Sequence, residues 1–199
     1  MLTAPRGPPA LGRSPAAREW HYTWAESRVK PGYGFSNMTD IRSAVFPEHL
    51  AVVQAIFREY ADSLDIDLCF QNFEEELAGL PGKYAEPQGR VLLAWQDHQV
   101  VGCVAMRPLD ATTCEMKRLF VRAAGRGQQL GKRLAEAICR SAKEAGYKRI
   151  LLDTLPTMQA ALRIYGALGF KEIAPYTFTP IEGAKYMALD FATCPGGGT

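Results

Sequence analysis

The sequence predicts an α/β domain on a mixed sheet: an antiparallel N-terminal meander, then one parallel βαβ crossover, then closing strands. Three observations predict it. Between residues 91 and 121, short apolar runs alternate with polar turns, as in hairpins. From residue 130 the apolar spacing becomes three and four, the helical period, on both sides of a short buried-looking run at 149–153. Strand, helix, strand, helix reads as a crossover, because parallel neighbours need a long connection.

The elements follow in order. Residues 41–46 form a strand, and Pro47 stands where its fixed φ suits a helix start. Leu50, Val53, Ile56, Phe57, Tyr60 and Leu64 share one helix face. A shorter helix carries Phe73, Leu77 and Leu80 and stops at Pro81-Gly82; residues 69–71 before it read as loop. Strands 91–95 and 100–106 flank a polar four-residue turn, and 113–121 adds a third strand. Leu130, Leu134, Ala137, Ile138, Ala142 and Ala145 define a helix ended by Gly146. Met158, Ala161, Ile164, Tyr165 and Leu168 define another, capped by Gly169. Residues 170–173 and 184–191 supply the closing strands.

A length of 199 residues suits one domain, placed here at 38–193. Residues 1–37 hold five of the 13 prolines and no surviving amphipathic period, so they read as a disordered extension, with Met38 as the natural start. Residues 194–199 read as a flexible tail. The net charge of +2 divides into +3 on the extension and −1 on the rest. A near-neutral body gives no reason to expect nucleic acid as a partner. No apolar run is long enough for a membrane span. The five cysteines are scattered without C-x-x-C, and the three histidines lie far apart, so no metal site is expected and a reducing cytoplasm is the expected compartment.

The chemistry is expected at the turn between the strand ending at Val121 and the helix starting at Leu130. Its glycines let the backbone turn sharply and gather N–H groups beside a positive helix N-terminus, a seat for phosphate. Arg126 and Lys132 add charge of the right sign. The dinucleotide pattern fails because Leu130 stands in place of its third glycine. A Walker loop fails at Arg126 and Arg133. A loop that only turns the chain is the other open reading.

Three stretches then carry a resemblance: Glu115-Met116-Lys117-Arg118-Leu119-Phe120-Val121, Arg126-Gly127-Gln128-Gln129-Leu130-Gly131, and Ala161-Leu162-Arg163-Ile164-Tyr165-Gly166-Ala167-Leu168-Gly169-Phe170. In this order and spacing they resemble the GNAT superfamily of acyl-CoA-dependent N-acyltransferases, over roughly residues 40–191. The family's loop pattern, Q/R-x-x-G-x-G/A, is met except that Gln129 holds the first glycine position, at little cost if that residue stays helical.

The resemblance implies a GNAT-like sheet and transfer of an acetyl or short acyl group from acetyl-CoA to a small-molecule or peptide amine in a ternary complex. The amides from Arg126 to Gly131, with Lys132 beside them, would hold the pyrophosphate. Leu119, Phe120 and Val121 would bind the pantetheine arm by their backbone on a strand splayed from its parallel neighbour. Tyr165 matches the tyrosine that protonates the leaving thiolate. Glu115 matches an acidic residue used as base, or else is a surface carboxylate paired with Lys117 or Arg118. Met158 stands where a polar cofactor contact is usual, and Tyr176 lies on a loop that would border the acceptor site. Homodimers are common among relatives. A non-catalytic acyl-CoA-binding or regulatory module is the alternative.

Overall fold

The computed structural model describes residues 39–64 and 72–191. The expectations for 1–37, 69–71 and 194–199 lie outside them. Among the described residues, the elements are β1 Asp40–Ser43, α1 Leu50–Asp62, α2 Phe73–Ala78, β2 Arg90–Gln96, β3 Gln99–Pro108, β4 Thr113–Val121, α3 Leu130–Glu144, β5 Arg149–Thr154, α4 Gln159–Ala167, β6 Lys171–Glu172 and β7 Lys185–Asp190. They build one seven-stranded sheet in the order β1-β2-β3-β4-β5-β7-β6. Only β4 and β5 run parallel; every other neighbouring pair is antiparallel.

The period-2 alternation of the strands sorts their side chains onto two cores. Leu92, Val104, Met106, Met116, Ile150 and Leu152 pack with Leu134 and Ile138 of α3 on one face. Val91, Leu93, Cys103 and Ala105 pack with Val53, Ile56 and Phe57 of α1 and Leu77 of α2 on the other. No helix among the described residues is long and apolar enough to cross a membrane.

Some boundaries differ from expectation for local reasons. The first strand stops at Ser43, and Pro47 lies in the following turn, three residues ahead of α1, not inside its first turn. The β2–β3 turn needs only two residues, because Asp97 (φ 49°) and His98 (φ 65°) both adopt the left-handed region. That geometry matches the twist of the flanking strands. The closing strand expected at 170–173 shortens to Lys171–Glu172.

Two irregularities of β4 position the site. Its pairing with β5 spans only Thr113↔Arg149, Cys114↔Ile150 and Glu115↔Leu151, after which the strands part. Opposite β3, the register slips between Cys103↔Phe120 and Ala105↔Lys117, and Arg118 sits in the bulge at φ 59°. A left-handed arginine in a strand costs roughly 1 kcal/mol. It is held by Glu76 at 2.8 Å and by the rings of Phe73 and Tyr60, over which its guanidinium lies at 4.9 and 5.7 Å.

Candidate active site

The glycine-rich turn forms because the chain must leave β4 against β3. The Arg122 N–H donates to the Val101 carbonyl at 2.9 Å, and a 3-10 turn, Ala123–Gly125, follows. A Cβ on Gly125 would come within 3.0 Å of Leu130 Cδ2 and 3.1 Å of the Val101 oxygen, so this position must stay bare. Gly127 turns the chain at φ 90°. The Arg126 amide is spent on the Ala123 carbonyl at 3.2 Å, so the free donors begin one residue later than expected. Among the described residues, the amides of Gly127, Gln128 and Gln129 meet no backbone acceptor, and the first bond of α3 runs from Arg133 N–H to the Gln129 carbonyl. The amides of Leu130, Gly131 and Lys132 are the unpaired first turn of a 15-residue helix, which also has no acidic side chain there. This donor set fits a pyrophosphate.

The loop is tied to the sheet edge. Thr39 Oγ1 donates to Gln128 Oε1 at 3.2 Å, and Arg133 donates to the Thr39 carbonyl at 2.7 Å. Lys132 is half-buried, with Glu136 one turn away at 3.8 Å.

Gln129 departs from expectation. It is the N-cap of α3 at φ 53°, left-handed and not helical, so the family's glycine position carries a strained side chain. Gln129→Gly relieves about 1–2 kcal/mol of left-handed strain, offset by about 0.5–1 kcal/mol of backbone entropy. The variant is expected to gain a fraction of a kcal/mol, read as a raised urea midpoint; a lowered midpoint would show the side chain to be an anchor.

Where β4 and β5 part, a narrow cleft of about 40 Å³ opens, lined by Met116, Lys117 and Leu119 of β4, Asp153 and Thr154 of β5, Met158, Tyr165 and Tyr60. Past Glu115 no strand among the described residues covers this side of β4, so its backbone groups there face the cleft. Of the three residues expected to hold the pantetheine, Leu119 lines the cleft. Phe120 pairs with Cys103 and packs edge-on against Tyr60, and Val121 pairs with Gly102. Tyr165 is buried, its ring against Phe170 at 5.7 Å, and no group of the described chain bonds its hydroxyl. Burial pushes its pKa well above the usual phenol value, so it carries its proton throughout the neutral range. Met158 caps α4, its sulfur accepting from Thr154 Oγ1 at 3.7 Å.

Beside the cleft lies a larger cavity of about 470 Å³, bordered by Glu75, Glu76, Lys83, Tyr84, Arg107, Glu115 and the exposed Phe178. Lys117 and Asp153 border both spaces and mark where they meet. Glu115 is no surface carboxylate: it is 1% exposed. Arg107 Nε donates to its Oε2 at 2.7 Å and the Tyr176 hydroxyl to its Oε1 at 2.8 Å, with Lys117 at 3.7 Å. Lys117, 8% exposed, donates to Asp153 Oδ1 at 2.9 Å. Arg107 also approaches Glu76, which pairs with Arg118, so three acids and three bases alternate across β3, β4, β5 and α2. Burying such a set is tolerable only when every member is paired.

Glu115 and Tyr165 are thus placed on adjoining spaces, with the loop at the end of the same strand. Lys117 was expected only as a pairing partner of Glu115, and missed in the sequence were Asp153 beside Lys117 and Arg107 as the closer partner of Glu115. An aspartate inside the apolar run Ile150-Leu151-Leu152-Asp153 was the available signal. Cysteine nucleophiles are not favoured: Cys103 and Cys114 are fully buried, and burial raises the thiols of Cys114 and Cys139 to about 12. No cluster of three or more metal-ligating side chains occurs among the described residues.

Comparison with known proteins agrees with this geometry. Residues 51–170 match the model of the Acetyltransferase (GNAT) family. An uncharacterized N-acetyltransferase of Schizosaccharomyces pombe is 38% identical over 154 residues, covering 76% of this chain and 94% of that one. Among solved structures, an acetyltransferase from Streptococcus agalactiae superposes with a TM-score of 0.63 at 24% identity, over 79% of this chain and 100% of that one. An acetyltransferase of Salmonella typhimurium, solved with its cofactor acetyl-CoA, superposes with a TM-score of 0.59 at 19% identity, over 79% and 96%. On the match to the family model and the likeness to the Schizosaccharomyces pombe protein, this chain belongs to the GNAT family of acetyltransferases.

Proposed function

We propose that the protein transfers an acetyl group from acetyl-CoA to an amine, both held at once. The observation that carries this reading is the meeting of two spaces at Lys117 and Asp153, one reaching Tyr165 and the other opening toward α2. Bound acetyl-CoA would supply an activated acyl carbon and a thiol leaving group. The amides of Gly127 to Lys132 and the α3 N-terminus would hold its pyrophosphate, with Arg126 and Lys132 adding charge at the rim. The uncovered backbone of β4 around Leu119 would bind the pantetheine arm, and one of its N–H groups would stabilise negative charge on the acyl oxygen. Tyr165 would give its proton to the departing sulfur. The larger cavity would take the amine, a small molecule or a peptide, and a carboxylate there would receive its proton; Glu115 is the candidate the sequence offers. The buried free thiols of Cys103, Cys114 and Cys139 accord with a cytoplasmic setting.

Calorimetry with acetyl-CoA, followed by thiol release across a panel of amines, tests this. Binding together with release on at least one amine is expected. Binding with no release on any amine points to the non-catalytic acyl-CoA-binding module, and absence of binding overturns both readings.

A further inference from the structure

Two carboxylates flank Lys117, Asp153 bordering both the cleft and the cavity and Glu115 the cavity alone, and their surroundings differ. Glu115 is almost wholly buried, with one oxygen accepting from Arg107 and the other from the Tyr176 hydroxyl. A proton arriving there would cancel the negative charge that strengthens the bond from Arg107. Asp153 is 16% exposed and borders both spaces; its Oδ1 accepts from Lys117, and its Oδ2 accepts no hydrogen bond among the described residues. Lys117 lies between the two acids, 2.9 Å from Asp153 and 3.7 Å from Glu115. If Asp153 takes up a proton, Lys117 therefore keeps Glu115 as counterion and no buried cation is orphaned.

We propose that Asp153, and not Glu115, receives the proton of the acceptor amine, while Glu115 acts as a positioning residue that holds Lys117, Arg107 and Tyr176. This rests on the acetyl-transfer reading above. The amine nitrogen forms a bond to the acyl carbon and the carbon–sulfur bond breaks. The nitrogen's proton passes to Asp153 Oδ2, and the sulfur takes the proton of Tyr165. Transfer of a proton from Asp153 to the tyrosinate through solvent restores both groups. The groups facing Asp153 are Glu115, Lys117 and Arg118 from β4, Tyr60 from α1, Tyr165 from α4, Tyr186 from β7 and Tyr176 from the loop before β7. All the tyrosines among them have pKa values raised by burial, so none titrates on the acid side.

The test compares Asp153→Asn and Glu115→Gln in the full chain by acetyl-CoA calorimetry, melting temperature and the pH profile of kcat/KM. Asp153→Asn is expected to bind acetyl-CoA within about threefold of the parent and to lose about 10²- to 10³-fold in kcat/KM together with the acid limb of the profile. Glu115→Gln is expected to keep the acid limb. If the limb survives in Asp153→Asn, or vanishes in Glu115→Gln, the assignment is overturned. A carbon-13 NMR titration of the unsubstituted protein decides the matter should a variant not fold: the acid limb must coincide with titration of the Asp153 carboxylate, and coincidence with Glu115 overturns the proposal. Failure of the parent protein to release thiol with any amine overturns the acetyl-transfer reading and this assignment together. Release with the outcomes reversed overturns this assignment alone.

Discussion

Tyr165→Phe is expected to lower kcat by about 10²- to 10³-fold while leaving acetyl-CoA affinity and melting temperature nearly unchanged. The hydroxyl is bonded to no group of the described chain, so removing it orphans nothing, and the ring keeps its contact with Phe170. What is lost is a proton donor. Burial raises the phenol's pKa, so the group keeps its proton throughout the neutral range and is present as the donor proposed for the departing sulfur. Steady-state kinetics beside calorimetry checks this. Unchanged turnover would remove Tyr165 as the acid, and a parallel loss of affinity would make it a binding group.

Gly89→Ala is expected to destabilise the fold by about 3 kcal/mol or more, the upper range for forcing an extra carbon into a packed site. A Cβ there would lie 2.3 Å from the Lys83 carbonyl oxygen and 2.5 Å from Tyr84 Cα, both backbone atoms that no rotamer change moves. The Gly89 N–H donates to the Ala85 carbonyl at 2.7 Å, closing the segment after the 3-10 turn Gly82–Tyr84. That turn carries Tyr84 into the core edge-on against Phe57 and walls the larger cavity. Thermal unfolding is expected to show a fall of roughly 10 °C for a chain of this length. An unchanged melting temperature would show that the turn can shift as a body.

Much of the fold was legible because the sequence states it locally. The apolar faces of α1 and α3 and the crossover around β5 follow from spacing alone, and β4 spans the very residues expected of it, Thr113–Val121. What the sequence hides is pairing across distance. Nothing near Glu115 says that Arg107, eight residues earlier, and Tyr176, sixty-one later, meet its two oxygens. A charged residue at alternate positions of a strand reads as a solvent face, whereas here Glu115 and Lys117 face a buried ion network. The bulge at Arg118 is equally silent, since its left-handed turn is sustained by Glu76 and two rings brought in by other elements. At Gln129 a helical conformation was the condition for the side chain to cost little, and the residue takes the left-handed one at φ 53° instead.

The bonds from Thr39 to Gln128 and from Arg133 to Thr39 make the residue just ahead of β1 a strut of the turn proposed to hold phosphate. A strand at the edge of a sheet is paired on one side only. Fraying there would also release two fastenings of the loop, so the order of the sheet's margin and the order of the glycine-rich turn rise and fall as one mechanical unit.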